Sequence, residues 1–394
     1  MLELLLFVLL GILAGILFGL VPGLHPNFLV VLAPVLFVLV PGENLVAFIV
    51  SMAVANSISD FIPSILLGAP EEGTELSVSP GHRMMLEGRG YQAVKLAVTG
   101  GMLSVIVLCV LFPAVVLLFP LIYRILQPSL FFVLVWISFY MVLAEGRGKM
   151  LVAGFCFLFS GIIGVSLHSF PLDGSLSLFP VLSGLFGASI LVMQFRQGDI
   201  RIQKQKPDEY VSRRLLTRSA FFGSIGGIFS GLLPGVGASQ VASVATVDKN
   251  EKSFLVTLGA LATANIVISI MSLWLINKSR SGVAGILGSA MEIAFSDVVL
   301  VLFVALFATA VAVLVTLKLS KLFLHFISSI NYVLVSKAVF VIIVASVAAF
   351  TGIYGLLLFF VCASLGVFAY LSRIRMSVLM GVLLLPTVIF YFPF

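Results

Sequence analysis

Two Pro-Gly pairs stand inside apolar runs of the sequence and have the chemistry of a broken helix. Pro22-Gly23 is followed closely by His25, and Pro234-Gly235 is followed by Ser239. Proline removes a backbone donor and clashes with the preceding turn, while glycine permits non-helical torsion angles. A helix that restarts after such a break presents free N–H groups and a positive dipole end, which suit an anion. The two segments therefore predict an anion site, with a simple kink or interfacial turn as the alternative.

Asparagines recur at similar distances behind the two Pro-Gly pairs. Asn56 ends the segment Ala-Val-Ala-Asn, and Asn265 ends Ala-Thr-Ala-Asn. A buried amide needs partners and can bind a polar substrate or coordinate a cation. The alternative is a hydrogen bond between helices, which membrane proteins use routinely. We predict that Asn56, the adjacent Ser57 and Asn265 contact substrate, and that both asparagines also contact a coupling ion.

Asp60 is a carboxylate amid apolar sequence, four residues after Asn56. A charge at membrane depth is costly, and it is typical of proton or sodium coupling. A position at a helix end near the membrane surface is the alternative. The corresponding residue of the second half is Ser269, so the two halves cannot contribute equally.

A turn-rich segment follows each asparagine. The first, Gly68 to Gly90, begins with acidic residues and predicts a re-entrant or a surface loop, whereas the second, Asn277 to Gly282, is basic. Lys278 and Arg280 are candidate contacts for an anionic substrate. Solvated loop tips are the alternative.

The elements that position these residues must be membrane-spanning helices. Hydrophobic residues make up 61% of the 394 residues and charged residues 10%, against about 45–50% and 25% in soluble domains. A soluble fold cannot hide so much apolar surface, so the solvent is a lipid bilayer. Long continuous apolar runs predict helices rather than a barrel, in roughly 12–15 helical segments. The fold class is therefore an all-α polytopic membrane protein.

The matched motifs divide the chain into two repeats, residues 1–195 and 218–394, joined by a polar linker at 196–217. The linker is rich in lysine and arginine, which predicts a cytoplasmic position. With the other basic clusters also inside, Met150–His168 and Ser177–Phe195 form one hairpin, and the helices at roughly Ala338–Phe350 and Gly352–Leu371 form a second. Equivalent helices then run in opposite directions, and both termini lie outside. Such inverted-topology repeats are typical of secondary transporters that alternate access around one site.

Several function classes are excluded by the motifs and by where the charges lie. The net charge of +6 comes from lysines and arginines scattered over short loops, so nucleic acid is not an expected partner. The histidines and cysteines do not show metal-ligand spacing, and there is no nucleophile–base pair or phosphate-binding loop. We expect neither an enzyme nor an ATP-driven pump, no metal and no cofactor, with Na⁺ or H⁺ as coupling ion.

Four stretches resemble the TctA family, the large membrane subunit of tripartite tricarboxylate transporters. They are Gly15 to Pro26, Ile65 to Ala93, Gly148 to Gly187 and Gly227 to Ala238. The resemblance implies ion-driven secondary transport of citrate-like anions with a small membrane subunit and an extracytoplasmic binding protein. The sequence departs from the family in its shorter length, in Pro80-Gly81 in the first loop, and in a second loop without proline.

The first hypothesis is therefore an ion-coupled symporter of a small organic anion, held between the two broken-helix regions. The alternative is a flippase for an anionic lipid such as a polyprenyl phosphate, with His25, Lys278 and Arg280 at the phosphate. A third class, an intramembrane enzyme or a scaffold, lacks the motifs it would need.

Overall fold

The structure is a computed structural model that describes residues 2–20, 40, 42–68, 78–146, 148–172, 174–195, 204–233, 241–242, 245–246, 250–329 and 332–392. Within these ranges it contains thirteen α-helices and no strand, in agreement with the predicted all-α class. Eight helical segments of the described chain are long and apolar enough to cross a membrane. Large apolar side chains such as Leu151, Trp136 and Phe303 point outward, as expected of a surface in contact with lipid. The protein is a multi-pass membrane protein.

The α-helices of the first half are α1 (Leu2–Leu20), α2 (Glu43–Ser59), α3 (Gly90–Leu126), α4 (Leu130–Leu143), α5 (Met150–Ser166), α6 (Gly174–Leu182) and α7 (Ser189–Phe195). Short π-helical turns accompany them at Pro63–Leu67, Val78–His82, Met85–Arg89 and Ser183–Ala188. Two of these turns, Val78–His82 and Met85–Arg89, lie inside the predicted re-entrant segment, and the buried His82 Nδ1 lies 3.0 Å from Ile65 O in the turn before it. The second part of that segment is therefore packed against the chain that leads into it.

The α-helices of the second half are α8 (Arg213–Ser230), α9 (Glu251–Ile276), α10 (Gly282–Ala290), α11 (Phe295–Ser329), α12 (Tyr332–Leu371) and α13 (Gly381–Phe390). The first of them, α8, begins five residues before the predicted start of the second repeat. Ser212 explains this early start, because its hydroxyl accepts a hydrogen bond from Leu215 N (3.2 Å) and caps the helix.

Glycines give the first two helices of each half the same packing. Gly11, Gly15 and Gly19 of α1 face α2, and the equally spaced Gly223 and Gly227 of α8 and Gly231 directly after it face α9. A methyl group added at Gly15 would lie 3.0 Å from Asn56 N, and one added at Gly227 would lie 3.0 Å from Asn265 N. Small residues allow this close backbone approach. The two helix pairs therefore share one contact register.

A second set of glycines shows that the two halves also form similar helix contacts near their ends. Gly184 faces the carbonyl of Phe359 on α12, and Gly381 faces the carbonyl of Phe157 on α5. Gly366 faces the carbonyl of Leu185, while Gly164 faces that of Val382. In each of these two contacts between the halves, the partners on the longer helix (α12 or α5) are seven residues apart, and the partners opposite are consecutive.

The linker defines one end of the bundle, which we call the linker end. Lys95 Nζ donates to Asp208 (2.7 Å) at the start of α3, and Lys252 pairs with Glu209 at the start of α9. A methyl group on Gly90, the first residue of α3, would lie 3.2 Å from both Leu66 and Leu324. Thus α3 and α9 begin at the linker end. By contrast, α2 and α11 run toward the linker end, since the chain just after α2 and the last part of α11 lie there.

Helices α5 and α12 also run in opposite directions. Lys149, just before α5, donates from Nζ to Arg373 O, and Arg375 N donates to Glu145 (3.1 Å). The beginning of α5 therefore meets the end of α12. Within α12 the backbone breaks at Gly352 (φ 62°, ψ −156°). The rings of Phe340 and Phe359 are 6.3 Å apart, against about 28 Å along a straight helix, so the chain reverses at the predicted hairpin.

Candidate functional site

The candidate site lies where α2, α3, α9 and α11 cross. Gly101 of α3 faces two of the other helices, because a methyl group there would lie 2.5 Å from Ile58 of α2 and 2.7 Å from Thr263 of α9. The adjacent Gly100 faces the carbonyl of Val256, and Gly259 in return faces the carbonyl of Ala97. The two halves therefore interlock here through direct backbone contact. This contact fixes the side chains that point into the crossing.

Asn56 of α2 is a buried amide with an unused donor. Its side chain is 3% exposed, and Nδ2 has no hydrogen-bond partner within the described part of the chain. The close fit of Gly15 and Gly19 of α1 against this turn of α2 holds the residue in place. An unsatisfied buried polar group costs about 1–3 kcal/mol. Such a group is therefore expected where a ligand completes it.

Three further hydroxyls on the central helices share this property. Buried serine and threonine usually donate to a carbonyl of their own helix, as Ser57 does to Val54 O (2.9 Å) and Thr309 to Ala305 O (2.7 Å). Among the described residues, by contrast, no partner is present for the buried oxygens of Ser104 on α3, Thr263 on α9 and Thr316 on α11. With Asn56 on α2, each central helix carries at least one unsatisfied buried polar group among the described residues, and α3 also carries the buried hydroxyl of Tyr123.

The other predicted residues of the central region differ in their surroundings. Asp60 ends α2 with its backbone N–H on Asn56 O (2.9 Å), and its side chain is buried rather than at the protein surface. Asn265 is half-buried on α9. Ser57 donates its hydroxyl to Val54 O within α2, which leaves its oxygen as an acceptor.

The basic loop after α9 places its two cations differently. Asn277 adopts a left-handed conformation (φ 51°) and ends the helix, and Ser272 donates to the carbonyl of Lys278 (2.8 Å). The side chain of Lys278 is exposed, as expected of a solvated tip, whereas Arg280 turns inward and is half-buried. Ser281 then caps α10 and contacts Ser269 (2.9 Å).

Six predicted residues lie outside the described residues: Pro22, Gly23, His25, Pro234, Gly235 and Ser239. The flanking chain is described, with α1 up to Leu20 and α8 up to Ser230. A turn follows α8 at Gly231 and Leu232, where Gly231 N still donates to Gly227 O (3.1 Å).

Sequence reasoning missed Ser104, Thr263 and Thr316 as candidate site residues. Thr263 lies inside the repeated Ala-Thr-Ala-Asn segment, so that motif held a usable signal for it. Ser104 and Thr316 carry no sequence signal that separates them from ordinary helix hydroxyls. Over the part of the chain that the structure describes, no cluster of three or more His, Cys, Asp or Glu residues could hold a metal ion.

Comparison with known proteins gives two matches. The sequence profile of the family described as tripartite tricarboxylate transporter TctA family matches residues 5–381, nearly the whole chain. The uncharacterized protein MJ1079 of Methanocaldococcus jannaschii is 29% identical over 383 residues, which cover 93% of this chain and 94% of that relative. No solved structure matches the chain significantly.

Proposed function

The chain belongs to the tripartite tricarboxylate transporter TctA family, and from this premise we propose that it is a secondary transporter of a small organic anion. The proposed substrate class is a di- or tricarboxylate. Members of this family are transporter components rather than enzymes, so the coarse role of the chain is that of a membrane component of such a system. The site of transport is proposed to be the crossing of α2, α3, α9 and α11.

One observation carries this proposal, namely the unsatisfied buried groups of the four central helices. The unused atom of Asn56 is the donor Nδ2, and a hydrogen-bond donor in a dry site matches an acceptor such as a carboxylate oxygen. The hydroxyls of Ser104, Thr263 and Thr316 can each donate as well. Because hydroxyls can also accept, Asn56 Nδ2 is the group that favours an anion over a bare cation, which needs only acceptors.

The helix directions support alternating access between the two halves. Equivalent helices run oppositely with respect to the linker end, and the glycine contacts of the two halves share one register. An inverted pair of this kind can open toward either side by the same motion of each half. We therefore carry the inverted-topology prediction forward as part of the proposal.

The coupling ion, the orientation and the partners complete the proposal. Asp60, buried one turn beyond Asn56, is proposed to take part in coupling to H⁺ or Na⁺, because buried carboxylates at membrane depth serve such relays. The basic linker is proposed to face the cytoplasm and both termini the outside. A small membrane subunit and an extracytoplasmic binding protein are proposed partners.

Ligand-dependent stabilisation of the purified protein tests the proposal. A ligand that binds only the folded state raises the melting temperature, so citrate or succinate is expected to raise it and sodium to enhance the effect. Asn56→Ala and Asn56→Asp are both expected to abolish the carboxylate effect, the second because it places a like charge beside the ligand. If Asn56 bound the cation instead, Asn56→Asp would preserve the sodium effect.

Ser138→Ala is the matched control, since Ser138 is buried in α4 away from the crossing and its hydroxyl donates to Leu134 O (2.8 Å). It should respond to citrate as the wild type does. Stabilisation by a polyprenyl phosphate and by none of the carboxylates would contradict the proposed substrate and favour a lipid flippase.

A further inference from the structure

Arg280 and Tyr123 form an enclosed pair at the end of the bundle away from the linker. The guanidinium carbon of Arg280 lies 5.1 Å from the centre of the Tyr123 ring. Arg280 precedes α10 in the second half, and Tyr123 lies in the last turn of α3 in the first half. The contact therefore spans the two halves of the molecule.

The polar atoms of this pair are buried and unused. Nε and Nη2 of Arg280 have no hydrogen-bond partner in the described chain, and neither does the hydroxyl of Tyr123, whose side chain is 5% exposed. These two guanidinium nitrogens form the side edge of the planar group, where two N–H bonds point the same way. That edge matches the two oxygens of a carboxylate.

A second cation–aromatic pair shows that a cation can stack on a ring without having its donors buried. Lys321 lies 4.9 Å from the centre of the Tyr91 ring at the linker end. Its side chain is exposed, so water can hydrate the ammonium group. In the Arg280 pair, the ring covers one face of the cation while the donor edge is cut off from water. Stacking alone leaves that edge unsatisfied.

We propose that the Arg280 side edge and the Tyr123 hydroxyl bind one carboxylate group of the transported anion, at a second position along the route. This inference rests on the proposed function. It assigns a substrate contact to Tyr123, and it gives Arg280 a specific geometry with two parallel donors. Because the pair joins the two halves, a carboxylate bound there also bridges them.

Conservative variants separate binding from a structural stacking role. Arg280→Lys keeps the positive charge above the ring but lacks the planar pair of donors, and Tyr123→Phe keeps the ring but lacks the hydroxyl. We expect Arg280→Lys to raise the Kd for citrate roughly tenfold or more and Tyr123→Phe to raise it by a smaller factor. Calorimetric titration with citrate, on variants whose ligand-free melting temperature matches the wild type, measures both.

Arg124→Lys is the control, because Arg124 is the neighbour of Tyr123 but is exposed, and it should bind citrate as the wild type does. Wild-type affinity in both Arg280→Lys and Tyr123→Phe would overturn this inference while leaving the proposed function intact. No carboxylate binding by the wild type would overturn both. Tighter binding of inorganic phosphate than of citrate, lost in Arg280→Lys, would overturn the carboxylate assignment.

Discussion

Single residues set both the chemistry and the bends of this protein. The sequence singles out Asn56 as a candidate because its motif recurs at Asn265, and its amide nitrogen has no hydrogen-bond partner among the residues that the structure describes. The inward turn of Arg280 was not predictable, since Lys278 and Arg280 look alike in sequence. Their difference arises because Asn277 ends α9 in a left-handed conformation and fixes the loop that follows.

Gly352 gives a prediction at the level of a backbone torsion. Its φ of 62° and ψ of −156° fall in a region that is open almost only to glycine, and an added methyl group would meet no atom within 4 Å. Gly352→Ala is therefore expected to cost about 1–3 kcal/mol through backbone strain alone. Thermal unfolding in detergent should show a lower melting temperature.

Gly148→Ala is the control variant, because it adds the same methyl group without the backbone strain expected at Gly352. Gly148 also has open space around it, but its φ is not in the left-handed region. The change should leave the melting temperature unaltered. Equal behaviour of the two variants would show that the reversal of α12 does not depend on the glycine torsion.

Helix lengths and helix partners differ in how far sequence reveals them. Long apolar runs predicted the helices and their approximate bounds, and the basic clusters on either side predicted the reversal inside α12. The partner of each helix was not predictable, because α3 packs against α9 of the other half through Gly100 and Gly259 rather than against its neighbours in sequence. Glycine positions mark where helices can approach, but they do not say which helix will do so.

The linker provides an element-level prediction. The hydrogen bond from Lys252, with the positive charges of Lys252, Arg89 and Lys206, holds the pKa of Glu209 below its usual value. A carboxylate with a lowered pKa stabilises the folded linker above its unfolded pKa, near 4.3, and loses this contribution as pH falls through the folded value. Near neutral pH the contacts are therefore fully formed.

Glu209→Lys is expected to release the linker at neutral pH, because it opposes Lys252 with a like charge. Limited trypsin digestion should then cut after Lys204 or Lys206 faster than in the wild type. The double reversal Glu209→Lys with Lys252→Glu should restore slow cleavage. Unchanged cleavage in the single variant would mean that the linker is held without this pair.

In the whole molecule, helices of the first half pack directly against helices of the second half, as α3 does against α9. The all-helical membrane class followed directly from composition, since lipid demands apolar surfaces and internally bonded backbones. The repeat followed from short motifs, and the shared glycine contacts now support it. The sequence could not predict which buried polar groups are unsatisfied, because hydroxyls that donate to their own helix and hydroxyls that do not are identical in sequence.

Counterflow in liposomes that contain the purified protein tests the central claim most directly. Vesicles loaded with unlabelled citrate and diluted into labelled citrate should accumulate the label through exchange, and vesicles with Asn56→Ala should not. A sodium or pH gradient imposed afterwards should drive net uptake through the wild type. Absence of carboxylate exchange, together with movement of a labelled polyprenyl phosphate between leaflets, would contradict the account.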